Sequence, residues 1–373
     1  ETLRNPETYY PLRLMICPES GLGQLDYALG SEVCFPVDYP YRPGISVPLK
    51  EHLERLANDI ILDNILRVGS LVVDVGSNDG TLLSFFKDRG MKVLGVEPTN
   101  MAMVADEDGI DTIQEFFTED LAKDIVENYG KAKAITFTNV FAHMATLGEV
   151  MDGIVALLDK DGVVVSESQY LLDVFEGNQF DEIYHDHIRI YSLKSLVKLF
   201  PYYGMEVFSA KRVPTREGSI EISAGWKSKH PISPEVKKLL KVEEDAGLFD
   251  PKGWVKFRKR VAKQKEQFLN LVYEVKELGL KLVADSCPTR GVVLLNYYGL
   301  ELPYVAQLPG TEKVGKYIPG THTPIVSNEI ILKDEPDYIL ILAWHYSDYI
   351  IKNWRAKGVR SKFIIPLPEL QII

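Results

Sequence analysis

The chain is poor in cysteine, with only Cys17, Cys34 and Cys287 in 373 residues. Three thiols so far apart make no disulfide framework and fit a reducing cytosol. Cys17-Pro18-Glu19-Ser20 looks like half of a C-x-x-C metal knuckle with its second cysteine missing. A structural zinc wants four ligands in closely spaced pairs, so Cys17 and Cys34 read as buried free thiols. No apolar run approaches eighteen residues, so no transmembrane helix is expected, and ETLRNPETYY lacks the basic-then-apolar pattern of a signal peptide. An excess of positive charge is missing too. The net charge of −11 argues against a binder of nucleic-acid polymers, while leaving room for a local basic pocket. The expectation is a cytoplasmic globular chain of two or three domains with a small-molecule substrate.

What is present is organised around Leu71–Pro98, LVVDVGSNDGTLLSFFKDRGMKVLGVEP. Its first five residues read as a strand buried on both faces. Gly76-Ser77-Asn78-Asp79-Gly80 tolerates tight or left-handed backbone. Leu82, Leu83, Phe85 and Phe86 follow at helical spacing, and a second strand, Lys92 to Val96, ends on Glu97. Strand, glycine turn, helix, strand and acid make a nucleotide-binding βαβ unit. The dinucleotide fingerprint G-x-G-x-x-G is not there. The D-x-G-x-x-x-G of Asp74, Gly76 and Gly80 resembles instead the first motif of S-adenosylmethionine-dependent methyltransferases. In that class the turn passes under the amino-acid end of the cofactor, and the acid accepts both ribose hydroxyls, which gives Glu97 its role. The alternative is any doubly wound α/β domain with a tight βα turn.

Around this unit the pattern is regular. Val47 to Arg67 reads as a helix, with Leu49, Leu53, Leu56, Ile60 and Ile61 on one face. Further strands are expected near 111–114, 134–137 and 163–165, with a helix over 147–158 and a turn at Asp159-Lys160-Asp161-Gly162. Ser192 caps a helix through Phe200, and strands over 206–213 and 219–226 give an antiparallel edge. Residues 233–279 are charged and helical, with a stripe of Trp254, Phe257, Val261, Phe268, Val272 and Val275 that reads as packing. Lys281 to Asp285 opens a second α/β unit. The expected fold is α/β. A Rossmann-like methyltransferase domain (47–227) follows a small irregular segment (1–46) and precedes a second Rossmann-like domain (228–373). Ligands in such sheets sit beyond the carboxyl ends of the strands, where Gly76 to Gly80, Glu97, Asn139 and Glu167 fall.

Tyr184-His185-Asp186-His187 invites two readings. H-x-H can be a metal pair, but no third or fourth ligand stands out. Histidine can also take a proton from a carbon acid, with a carboxylate setting its tautomer and a tyrosine polarising a carbonyl.

Here the chain resembles the sugar C-methyltransferases of deoxysugar biosynthesis, which methylate a ring carbon beside the ketone of a nucleotide-linked ketosugar. The family's Y-H-E-H stands as Tyr184-His185-Asp186-His187. The likeness runs in order through Val73 to Gly80, Asn139-Val140-Phe141-Ala142-His143, Ile190 to Leu193, Leu294-Leu295-Asn296-Tyr297, Gly315-Lys316 to Ile325 and Ala343-Trp344-His345. It implies a zinc-binding N-terminal domain, a cofactor domain and a Rossmann-like domain that helps hold the sugar nucleotide. It makes His187 the general base, supported by Tyr184 and Asp186. On the cofactor side it places Asp74, Gly76, Ser77, Asn78, Asp79, Gly80, Glu97, Pro98, Phe117, Asn139, Val140 and His143. On the substrate side it places Glu167, Arg189, Arg216, Ser219, Arg290, Asn296, Lys316 and His322. The zinc cysteines are reduced to a remnant, so no metal is expected. The usual G-G-S-x-R is Glu217-Gly218-Ser219-Ile220-Glu221, and the usual G-Y-G-A-P-A-K-G is Ala284 to Gly291. Because these departures fall on the substrate side, two alternatives stay open: a methyltransferase with another acceptor, or a non-catalytic cofactor-binding subunit. A monomer or homodimer is expected, with a partner protein in the last case.

Overall fold

The computed structural model describes residues 5–37, 42–309 and 311–373. Their strands, in chain order, are β1 (Leu14–Ile16), β2 (Gly23–Leu25), β3 (Leu71–Val75), β4 (Lys92–Val96), β5 (Thr112–Ile113), β6 (Ala132–Thr138), β7 (Leu158–Gln169), β8 (Arg189–Ile190), β9 (Met205–Val213), β10 (Ser219–Trp226), β11 (Leu282–Asp285), β12 (Val305–Gln307), β13 (Ile325–Ser327), β14 (Tyr338–Ile341), β15 (Lys362–Ile365) and β16 (Gln371–Ile372). The chain divides into two compact units, one of residues 14–172 and 185–249, the other of 1–13, 173–184 and 250–373.

The first unit holds a sheet in the order β5-β4-β3-β6-β7-β10-β9. Its first five strands are parallel, and β10 and β9 run antiparallel at the edge. All five residues of β3 are buried, as a strand covered on both faces requires. The helix Val47–Asp63 lays Leu49, Leu53, Leu56, Ala57 and Ile60 onto one face, where they pack with Val72, Ala134, Val163 and Val165. Burying each large aliphatic there contributes roughly 1.5–3 kcal/mol. This helix stops short of the expected Arg67. Asn64 Nδ2 donates to the Ile60 carbonyl at 2.9 Å, and Ile65 turns to φ 51°, which ends the helix. Another difference is at Asp159–Gly162, which continues β7 rather than turning, with a register shift opposite Ala132–Ala134 absorbing the irregularity. A small sheet, β1-β2-β8, completes the unit.

In the second unit β13-β12-β11-β14-β15-β16 form a sheet that is parallel up to β16. The expected helical stretch 233–279 is two helices, Pro234–Asp245 and Pro251–Glu277. Gly247 at φ 73° stops the first, and Asp250 caps the second through the Lys252 amide. The stripe of the second helix, Phe257, Val261, Phe268, Val272 and Val275, is buried. Cys17 is exposed, against expectation. It opens the tight turn from β1 to β2, where Gly21 N donates to its carbonyl at 2.8 Å and Ser20 N to its sulfur at 3.4 Å. Cys34 is half-buried, and only Cys287 is buried.

Candidate active site

The glycine turn after β3 is built so that side chains would not fit. Gly76 sits at φ 71° and its amide donates to the Val96 carbonyl at 2.7 Å. A Cβ there would lie 2.5 Å from Val140 Cγ2, so Val140 covers the turn. Asn78 (φ 50°) and Gly80 (φ 72°) complete it. Asp79 accepts from Thr81 N and Oγ1 at the start of the helix Thr81–Asp88, and from Gly44 N at 3.1 Å. Ser77 Oγ is buried with no partner.

Glu97, at the end of β4, is buried. Its Oε2 accepts from Asn78 N and its Oε1 from Thr99 N, each at 3.0 Å. Each carboxylate oxygen has two lone pairs, so each can accept once more. Pro98 follows half-buried. Asp74 ties β3 to β6, accepting from Thr136 Oγ1 at 2.6 Å, and burial pushes its carboxyl up to about 7. The Phe117 ring is in the core, edge-on to Phe137 and filling the space left by Gly153.

Beyond β6 the chain brings two histidines together. Asn139 (φ 57°) donates from its amide to the Glu167 carbonyl at 2.7 Å, and its Oδ1 is buried without a partner. A short helical turn, Phe141–His143, sets the His143 ring between Phe35, 5.3 Å away, and His187, 5.1 Å away at 71°. Burial, then the charges of His187 and Arg216, hold His143 well below the usual imidazole range. Its Nε2 has no partner. His187 is 1 % exposed. Burial raises Asp186 to about 6 against the pull of His185. Cys34 is raised to about 11 by burial and then by Asp186 and Glu32.

The substrate-side residues of this unit fare differently. Glu167 is buried, with Oε2 2.7 Å from His52 Nε2. Ser219 Oγ donates to the Thr215 carbonyl at 3.0 Å. Arg189 is engaged by the carbonyls of Met144 and Ala145, and so pins the loop after His143. Arg216 is half-buried at φ 56°. His52 and Gln169 escaped the sequence reading: His52 sits on an ordinary amphipathic helix, and nothing local marks either.

Tyr184, Arg290, Asn296, Lys316 and His322 belong to the other unit. There Arg290 is buried, with Nε 3.0 Å from Asp181 Oδ2 and Nη1 2.7 Å from Glu182 Oε1. It stacks on Trp344, whose indole N–H donates to the same aspartate. Burial alone would lower this guanidinium, but Asp181 and Glu182 hold it charged. Asn296 Nδ2 donates to the carbonyls of Val292 and Pro319. Lys316 is exposed, and His322 meets Glu7 at 3.2 Å.

Residues 214–368 match a family described as C-methyltransferase C-terminal domain, and residues 49–210 match one described as methyltransferase domain. C-methyltransferase NovU of Streptomyces niveus is 33 % identical over 373 residues, 98 % of this chain and 88 % of its own length. The chain belongs to the sugar C-methyltransferase family. Two solved structures share a looser likeness. Magnesium protoporphyrin IX methyltransferase of Synechocystis PCC 6803, with bound SAM, is 16 % identical, covering 49 % of this chain and 82 % of its own at a TM-score of 0.37. The 1,6-didemethyltoxoflavin-N1-methyltransferase of Burkholderia thailandensis is 16 % identical, covering 54 % and 93 % at 0.40. Likeness this loose fixes neither substrate nor site.

This C-methyltransferase is an S-adenosylmethionine-dependent enzyme, and its first unit suits that cofactor. The Gly76 turn leaves no room for a Cβ. Glu97 keeps an acceptor on each oxygen. Ser77 Oγ and Asn139 Oδ1 are buried polar atoms with nothing to bond, a condition that costs about 1–3 kcal/mol each unless a ligand or water relieves it. No helix among the described residues is long and apolar enough to cross a membrane.

Proposed function

We propose that this enzyme methylates a ring carbon beside the ketone of a nucleotide-linked ketosugar. The observation that supports this best is the pair of buried imidazoles, His143 and His187, 5.1 Å apart beside the orphaned Asn139. Two imidazoles so close carry at most one proton between them. Burial holds His143 well below the usual imidazole range, and His187 is the base that the family pattern points to.

In this reading the glycine turn from Gly76 to Gly80 lies under the amino-acid end of the cofactor. Glu97 accepts from the two ribose hydroxyls, with Pro98 and Val140 lining the site. Asp74 and Phe117 hold the strands and helix behind it. When bound, the cofactor supplies an electrophilic methyl on a positively charged sulfur. His187 takes the proton from the carbon next to the ketone, and the C–H electron pair becomes the enolate. Asp186 and Tyr184 are the supporting positions that the resemblance gives, and a tyrosine or neighbouring donor steadies the enolate oxygen. The carbon is then the nucleophile, and the imidazolium of His187 releases its proton to solvent after transfer.

Segment 1–46 as a zinc-domain remnant, 47–227 as the cofactor domain and 228–373 as the substrate domain belong to the same proposal. A second reading, another acceptor on this scaffold, draws on Glu217 and Glu221, acids where the family pattern has a glycine and an arginine. The test is labelled methyl transfer from S-adenosylmethionine to dTDP-linked 4-keto-6-deoxyglucose, with a panel of other acceptors alongside. His187→Ala is expected to lose about 10²–10⁴-fold in rate. Full rate in that variant removes His187 as base. Transfer only to other acceptors selects the second reading.

A further inference from the structure

At its carboxyl end, β7 carries an unanswered set of polar atoms. Glu167 and Gln169 stand two residues apart, so both side chains point to one face of the sheet. That is the face of Val165, which packs under the helix Val47–Asp63. Glu167 is 1 % exposed and Gln169 2 %. Glu167 Oε1, Gln169 Oε1 and Gln169 Nε2 have no hydrogen-bond partner. The other oxygen of Glu167 is fixed by His52 Nε2 at 2.7 Å, and Thr215 Oγ1 lies 3.4 Å from that nitrogen. The Glu167 carboxylate is therefore held on one oxygen, and its other oxygen is buried without a partner. Asn139, whose amide donates to the Glu167 carbonyl, leaves Oδ1 unpartnered on the neighbouring strand end.

The chemistry of this set selects its ligand. A carboxylate oxygen accepts, while a side-chain amide both accepts and donates, a combination that suits neighbouring hydroxyl groups. An anion does not suit it. Glu221 lies directly across from Glu167 on β10. Lys211, the lysine on this face, is already held by Asp59, Asp63 and Glu221 at 3.5, 3.2 and 3.6 Å. A phosphate there would face the carboxylates of Glu167 and Glu221, beside a lysine already engaged by acids.

We propose that Glu167 and Gln169, backed by His52, form the subsite that reads two neighbouring hydroxyls of the acceptor's sugar ring. This rests on the sugar reading above and adds the residues that recognise the ring rather than the nucleotide. His52 is a positioning residue, and Glu167 and Gln169 make the contacts.

The test is calorimetry on the full chain loaded with S-adenosylhomocysteine. The probes are dTDP, dTDP-linked 4-keto-6-deoxyglucose, and the 2-deoxy form of that sugar. Wild type is expected to bind the sugar nucleotide more tightly than dTDP. Glu167→Gln and Gln169→Leu should each weaken the sugar nucleotide by about tenfold to a hundredfold, as loss of a charged or buried hydrogen bond does, and leave dTDP unchanged. The 2-deoxy sugar should already be weak on wild type and weaken little further in the variants. Affinity for S-adenosylhomocysteine reports folding; should Glu167→Gln fail to fold, Gln169→Leu carries the test. Variants that bind the sugar nucleotide like wild type, or lose dTDP equally, overturn the subsite alone. A wild type that binds S-adenosylhomocysteine but neither nucleotide overturns the ketosugar reading, and the subsite with it.

Discussion

Replacing Gly76 by alanine tests how the glycine turn after β3 is built. Gly76 sits at φ 71°, in the left-handed region that costs an L-residue roughly 1–2 kcal/mol. The new Cβ would also lie 2.5, 2.7 and 3.1 Å from Cγ2, Cγ1 and Cβ of Val140. Both methyls are inside contact distance, so no rotation of Val140 removes the clash, and the chain after β6 must shift. Overpacking of that kind costs about 1–3 kcal/mol. Together the two terms reach roughly 2–5 kcal/mol, which for a domain of this size is a fall of about 4–20 °C in melting temperature. Thermal unfolding of the full chain measures it, with calorimetry on S-adenosylhomocysteine as a second readout, since Val140 and Asn139 move together. Adding Val140→Ala should recover the steric part, about half of the loss, and leave the backbone part. A Gly76→Ala variant that melts within a degree of wild type and binds equally well refutes the reasoning. So does a double variant with no recovery.

Three other outcomes follow from the same geometry. Asp186 is raised by burial to about 6; a carboxyl that binds its proton more tightly folded than unfolded contributes stability that is whole below about pH 4 and fades as pH rises through 6. Asp186→Asn should remove that fade, and melting curves for both proteins that stay parallel from pH 4 to 7 refute it. Arg290→Met leaves Asp181 and Glu182 buried without their guanidinium, at a cost of about 3–5 kcal/mol; calorimetric unfolding with no change would show the ion pair to be idle. Glu243, buried and accepting from the amides of Leu193 and Lys194, caps the helix that follows Tyr191, and Glu243→Ala should cost about 1–3 kcal/mol, read as an earlier melt.

The strand, turn and acid of Leu71–Glu97 were legible because every signal there is local. A strand covered on both faces needs a run like Leu71–Val75, and a left-handed turn needs Gly76 and Gly80. Ser192 was legible for the same reason, and its capping box with Ser195 is formed. Long-range contacts were not. His52 and Glu167 meet across 115 positions of sequence, and neither residue advertises the other. Arg290 shows the limit most clearly. Placed on the substrate side by its motif, it is engaged by Asp181 and Glu182; an arginine in a sequence carries no sign of whether a ligand or two buried acids will meet it. The strands β12, β13 and β16 are too short to show a period, and their neighbours in the sheet define them. Cys17 is exposed because its position in the turn, rather than the small-hydrophobe character of a thiol, decides its burial.

The departure at residues 217–221 takes on meaning from the register of the sheet. Where the family pattern has arginine this chain has Glu221, and the strand that carries it is not disturbed. β10 pairs with β7 from Ser219–Gln169 through Gly225–Val163 and with β9 along its length. What changes is charge. Glu221 sits between Glu167 and Lys211 in cross-strand register, and its carboxyl is raised by burial, against Lys211, with Glu167 adding to the rise. An arginine at that position would give this face a cation with five donors, suited to a phosphate; a glutamate gives it acceptors, with Lys211 already bound to acids. The Gly76 turn, Glu97 and Asn139 follow β3, β4 and β6, strands that do not pair with β10. The exchange is therefore one of charge on an undisturbed strand: it gives one face of the sheet acceptors where an arginine would give donors.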